Sequence, residues 1–250
     1  MLEALIRKQP QSLTELAQAS GIAKSTAHRL LRTLKMRGFV HVGPDGRYRL
    51  GAKSAWLRGL PAVVQRRLDE LRARTGETAN LGMLAGREIE YVARSVSAHA
   101  LRWGVDVGSR VPCHCTAMGK AVLAFRPDVR VEPRELVPYT PRTVTDPEEL
   151  EAQLELVRRR GYALDDEEFI LGVFCVAVPV RDQDGRVVGA VSVAGPSVRW
   201  DRAAAMRHLD AIKAAGRAIS RALGHDAREE EGAAAGGVSQ GIAPFKEERG

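Results

Sequence analysis

The sequence predicts an α+β chain in two unequal parts, a small helical module closed by a two-stranded hairpin and a larger unit of helices around antiparallel strands. Three observations carry this. Two short helix patterns and a tight basic hairpin fit between Ser12 and Leu50. Apolar residues then alternate in strand-length runs separated by hairpin turns rather than by long crossovers, which favours an antiparallel sheet over a doubly wound parallel one. Finally, 250 residues with 44% hydrophobic composition can supply one small and one ordinary core.

Ser12 and Glu15 stand at capping-box spacing, so the first helix is expected from Leu13 to Ala19, broken by Ser20 and Gly21. Ala23, Ala27, Leu30, Leu31 and Leu34 then repeat at helical spacing and mark the buried stripe of a second helix. At about 100° per residue, the opposite face carries Ser25, His28, Arg29 and Arg32, with Lys24 and Thr26 at its amino end. After Gly38, Phe39 to Val42, the turn Gly43-Pro44-Asp45-Gly46 and Arg47 to Leu50 read as strand, turn, strand. This is the order of parts in a winged helix-turn-helix, whose second helix enters the major groove of double-stranded DNA. Arg47 and Arg49 share one side of the wing, where they can reach phosphates.

Charge points the same way. Residues 1–60 hold 11 Lys plus Arg against 3 Asp plus Glu, or +8; the whole chain is +7, so the other 190 residues sum to −1. A basic module on a neutral body has one end that faces a polyanion.

Residues 52–60 read as a linker helix ended by Pro61, and the larger domain as 61–223. Within it, Val64, Leu68 and Leu71 continue a helical stripe to Gly76. Thr78 to Leu84, Glu88 to Val92 and Leu101 to Val107 read as strands, and Thr116 to Phe125 as a short amphipathic helix. Asp146 caps a helix that Gly161 ends. Tyr162 to Leu164, Phe174 to Val180 and Val187 to Ala194 read as strands, and Arg202 to Leu223 as one final helix. The arrangement resembles the GAF-like sensor class. Residues 224–250, rich in Glu, Gly and Ala, read as a disordered tail.

No apolar run of about 18 residues and no export signal is present, and three cysteines build no disulfide framework, so a cytoplasmic protein without a membrane partner is expected.

Five strings in this order resemble the IclR family of bacterial transcriptional regulators: Gly21 to Leu31, Gly46 to Gly51, His114 to Ala121, Arg160 to Tyr162 with Asp165 to Glu168, and Gly189 to Val193 with Gly195-Pro196. The resemblance covers about residues 1–223. It implies a winged domain that dimerises and binds operator DNA, for which Lys24, Ser25, Thr26, His28, Arg29 and Arg32 of the polar helix face and Arg47 and Arg49 of the wing are the expected contacts. It also implies a second domain that binds a small effector, often an organic or aromatic acid, and assembles as a homodimer or dimer of dimers. Carried over by position, Trp103, Val111, Ala117, Met118, Asp165, Val173, Cys175 and Ser192 line the effector pocket. Ala194 stands where some relatives carry a second serine. The amides around Ala117 to Gly119 open a helix whose dipole favours a carboxylate.

Neither a reaction, a cofactor, a catalytic residue nor a metal ligand is implied. Three rival readings use the same residues. Cys113, Cys115 and Cys175 could form a metal- or thiol-responsive site, although one-residue spacing departs from the two to four residues usual for zinc pairs. A Cys113-His114 enzyme is poorly supported, since neighbours on a strand project to opposite faces. The second domain could also only oligomerise. The acids from Asp165 to Glu168 read as a solvated turn, with Asp165 alone expected to function.

Overall fold

A computed structural model describes residues 1–51, 54, 60–102 and 104–225. The first helix, α1 (Leu2–Arg7), precedes the point where the sequence patterns begin, and buries Leu5. Helix α2 (Leu13–Ala19) has the expected bounds, because both capping-box bonds form: Glu15 N donates to Ser12 Oγ at 3.2 Å and Ser12 N to Glu15 Oε2 at 2.6 Å. Helix α3 (Lys24–Met36) buries Ala27 and Leu31. Ala23 and Leu30 do not join the buried stripe: Ala23 is the exposed N-cap and Leu30 is 44% exposed. Strands β1 (Val40–Val42) and β2 (Tyr48–Leu50) pair antiparallel with Val40 opposite Leu50. Leu5, Leu16, Leu31, Val40 and Leu50 close this small core.

Helix α4 (Leu60–Thr75) includes Pro61 in its first turn, so that proline does not end a helix. The expected linker falls on residues 52, 53 and 55–59, outside the described residues. Six antiparallel strands follow: β3 (Thr78–Ala85), β4 (Glu88–Ser95), β5 (Arg110–Pro112), β6 (Ala163–Asp166), β7 (Val173–Arg181) and β8 (Val187–Pro196). Their order is β5-β4-β3-β8-β7-β6. The expected strand from Leu101 to Val107 does not form among the described residues. Leu101 and Val107 are 64% and 56% exposed, and the chain instead turns at Asp106–Ser109 before β5 pairs with β4. A run of β-formers makes no strand without a neighbouring edge to bond.

Side chains alternate across the sheet. One face presents Leu81, Val176, Val178, Val191 and Val193 to α4, α7 (Arg202–Arg207) and α8 (Leu209–Ala222), with Trp200 and Ile212 in the same core. The single C-terminal helix expected from the sequence is two: the chain breaks at His208, whose ring stacks on Trp200 at 5.8 Å. The other face carries small residues, Ala163, Ala177 and Ala190, against α5 (Ala117–Leu123) and α6 (Pro147–Arg160). On this side Gly82 lets Met118 approach, since a Cβ there would meet its sulfur at 2.9 Å. Asp146 caps α6 through the amides of Glu148 and Glu149, and Gly161 ends it at φ 75°. The small side chains on this second face leave room for a cavity between sheet and helix.

Candidate effector cavity and DNA-facing surface

Along α3, Lys24, Ser25, His28, Arg29 and Arg32 are exposed and Thr26 is half-buried. They therefore lie on the face turned away from the small core. No side chain caps the amino end of α3, which leaves its first amides available to an external acceptor. The wing differs from the sequence expectation in one respect. Arg47 Nη2 donates to Glu15 Oε2 at 2.6 Å, and Arg49 binds Asp45 through two bonds of 2.9 and 3.0 Å. Both guanidiniums already hold a carboxylate. Asp45 is pulled down to about 2, chiefly by the Arg49 hydrogen bonds. Glu15 thus both closes the α2 capping box and latches the wing.

In the larger domain, Tyr91, Thr116, Ala117, Met118, Asp165, Phe169, Ile170, Val173, Cys175 and Ser192 line one cavity of about 330 Å³ including its mouth, most of it narrower than a water molecule. Six of the eight residues expected to line a pocket meet here: Ala117, Met118, Asp165, Val173, Cys175 and Ser192. Val111 does not; it is buried on β5 within the core behind the cavity. Trp103 lies outside the described residues. Sheet register explains the convergence. Asp165 stands opposite Cys175 and Ala177 opposite Ser192, and cross-strand partners project to the same side.

Burial decides the electrostatics. Burial pushes the Asp165 carboxyl up to about 7; the Lys120 ammonium partly offsets this and the Glu168 carboxylate adds to it. Asp165 Oδ1 accepts the amides of Glu168 at 2.8 Å and Phe169 at 3.3 Å. Lys120, 2% exposed, pairs with Glu168 and donates to Gln153 Oε1 at 2.7 Å. Glu168 is itself buried, so the acidic run is not wholly a solvated turn: Asp166 is exposed while Asp165 and Glu168 point inward. Burial raises the Glu168 carboxyl too, and its Oε2 has no partner among the described residues.

Sequence reasoning also missed Asn80. It is fully buried on β3, opposite Ser192; its Nδ2 lies 3.5 Å from Ser192 Oγ and its Oδ1 has no partner among the described residues. A lone amide inside an otherwise apolar strand was the available signal. The mouth of the cavity is formed by the β6–β7 loop, where Phe169 meets Tyr139 edge-on at 5.1 Å and Ile170 is 37% exposed.

Cys113 is buried, and burial pushes its thiol up to about 12; burial likewise raises Cys115 and Cys175. All three are held as thiols, which are poor nucleophiles. His114 bonds the Val137 carbonyl at 3.0 Å. Among the described residues, no group of three His, Cys, Asp or Glu is placed to hold a metal ion.

Similar proteins extend these observations. The profile of the bacterial transcriptional regulator IclR C-terminal domain matches residues 57–221, and that of the IclR helix-turn-helix domain residues 1–44. The chain is 37% identical over 227 residues to the HTH-type transcriptional regulator XynR of Escherichia coli, spanning 86% of this chain and 90% of that one. It is 39% identical over 230 residues to the glycerol operon regulatory protein of Streptomyces griseus, spanning 85% and 88%. The crystal structure of Thermotoga maritima IclR superposes with a TM-score of 0.62 at 30% identity, covering 90% of this chain and 96% of that one. An IclR homologue from Microbacterium hydrocarbonoxydans, solved with 4-hydroxybenzoate, superposes with a TM-score of 0.58 at 26% identity, covering 89% and 97%. With an amino-terminal helix-turn-helix and a carboxy-terminal effector-binding domain matched in order, the chain belongs to the IclR family of bacterial transcriptional regulators.

Proposed function

We propose that this regulator reads operator DNA through α3 and the wing and changes its affinity when a small organic acid with an apolar or aromatic body enters the cavity over Ser192. The observation that carries the effector class is the meeting of Asp165, which burial raises to about 7 so that about half of it keeps a proton to donate at pH 7, with Ser192 and the apolar walls Met118, Phe169, Ile170 and Val173. A carboxylate needs such donors, and a ring or short chain needs such walls. The acid bound by the Microbacterium hydrocarbonoxydans homologue has this composition.

Ser25, Thr26, His28 and Arg29 supply base or phosphate contacts, and Lys24, Arg32, Arg47 and Arg49 anchor the backbone. For the wing to grip, Arg47 and Arg49 exchange Glu15 and Asp45 for phosphates. We divide the chain into a reader (1–51), a linker (52–60), an effector and oligomerisation domain (61–223) and a tail (224–250). Such a reader works as a homodimer or dimer of dimers on a palindromic operator with half-sites about 34 Å apart or a multiple of it. No helix among the described residues is long and apolar enough to cross a membrane, which suits a cytoplasmic setting.

The test titrates a panel of small aliphatic and aromatic acids, 4-hydroxybenzoate included, into the protein on duplex DNA from beside its own gene. At least one acid is expected to shift operator affinity about tenfold, a coupling of about 1.4 kcal/mol, and Ser192→Ala to weaken that shift. Unchanged affinity across the panel refutes the reading.

A further inference from the structure

The face of α8 that packs against β7 carries a cationic row beyond Asp210, and among the described residues none of its three members forms an ion pair. Lys213, Arg217 and Arg221 fall at i, i+4 and i+8, so their side chains stack along one line of the helix. With Arg181 and His225 they line an open cavity beside Gly161 and Pro179, and no Asp or Glu is among its lining residues. The side chains of Arg217 and Arg221 are exposed and have neither an ion pair nor a hydrogen bond among the described residues. Like charges at this spacing repel, and a row of three calls for an anion.

The chain itself delivers one. His225 lies in the cavity, where its amide donates to the Ser220 carbonyl at 3.0 Å. The next six residues, Asp226 to Glu231, carry four acids and one arginine, a balance of −3. Glu229 to Glu231 stand four to six residues past His225, a reach of about 13–20 Å when extended. The row from Lys213 to Arg221 is about 12 Å long. The acids therefore reach every cation of the row, and tethering keeps them at high local concentration.

We propose that the acidic segment Asp226–Glu231 folds back onto the Lys213–Arg217–Arg221 face of its own chain. Docked there, it neutralises this basic row and leaves cationic attraction for DNA to the winged module.

Two measurements on the full-length protein test this. Carbodiimide coupling at low salt is expected to join Lys213 to Glu229, Glu230 or Glu231 within one chain, and to lose that product in the E229Q/E230Q/E231Q variant. A Glu-specific protease is expected to cut at Glu229–Glu231 about threefold faster or more in R217Q/R221Q than in the unaltered protein, the effect of about one exposed ion pair. The difference should close in about 0.5 M salt, where the screening length is only a few ångströms. The protease result stands whether or not Lys213 is well placed for coupling. Equal cleavage rates overturn the proposal, and coupling between two chains instead of within one also overturns it, assigning the row to a second copy.

Discussion

Replacing Asp165 with asparagine tests whether the cavity stores a destabilised carboxylate. The amide keeps an oxygen to accept the Glu168 and Phe169 amides but cannot ionise. In the folded protein the Asp165 carboxyl titrates at about 7 against an ordinary 3.8, because burial outweighs the Lys120 charge. A carboxyl raised on folding binds more protons in the native than in the unfolded state between these values. Stability therefore falls as pH rises from about 4 to about 7 and levels off above. The full penalty is about 4 kcal/mol, of which about 2–3 kcal/mol develops between pH 5 and pH 8. Urea unfolding of both proteins at the two pH values is the assay. Asp165→Asn is expected to gain about 2–3 kcal/mol relative to the parent on going from pH 5 to pH 8, or roughly 5–10 °C in Tm for a domain of this size. Groups that do not interact with Asp165 cancel in the difference. A stability gap that is the same at both pH values refutes the claim that Asp165 is held near neutrality.

Three further outcomes follow from the same geometry. A Cβ on Gly119 would lie 2.2 Å from the Cys113 carbonyl oxygen and 2.3 Å from its Cα, both backbone, so Gly119→Ala should cost about 3 kcal/mol or more in urea unfolding; a loss below about 1 kcal/mol contradicts this. Lys120→Met leaves Glu168 buried and unpaired and should cost about 3–5 kcal/mol, with Lys120→Met/Glu168→Gln recovering more than half; no recovery means that the loss is packing alone. For DNA, Arg29→Ala should lower preference for operator over random duplex by about 1–3 kcal/mol, whereas Arg49→Ala should weaken both alike and reduce the salt slope by about one; equal loss of preference from both removes the division of roles.

Signals that act within a few residues were legible. The Ser12–Glu15 box set the start of α2, and Asp146 and Gly161 bounded α6. Family strings brought six cavity residues together by position. What depends on a distant partner was not legible. Leu101 to Val107 has the composition of a strand but no edge to join, and the last helix breaks at His208, whose ring stacks on the distant Trp200. Glu168 looks like any surface acid until α5 brings Lys120 to it across 48 residues. Arg49 lies on the expected strand and Arg47 just before it, but their carboxylate partners are set by the packing of α2 and by the fold of the turn at Asp45. Asn80 was read as one more strand residue, since its unsatisfied amide matters only once Ser192 stands opposite.

The cavity is nearly shut, and this constrains how an effector can act. A ligand larger than a water must displace the β6–β7 loop, where Phe169 and Ile170 form the mouth. That loop turns through Glu167 at φ 61° and Gly172 at φ 77°, and left-handed backbone at a non-glycine residue persists only where surrounding bonds hold it. Thr140 and Thr143 supply them: Thr140 Oγ1 donates to the Glu167 carbonyl at 2.7 Å and Thr143 Oγ1 to that of Glu168 at 2.6 Å. Glu168 in turn grips Lys120 on α5, whose first turn forms the opposite wall through Ala117 and Met118. Wall and mouth are thus joined by one buried ion pair. An effector that lifts Ile170 also pulls on α5, and it shifts the protein toward the lifted arrangement if it binds that arrangement the more tightly. Differential affinity of this kind is what a ligand needs in order to shift a conformational equilibrium.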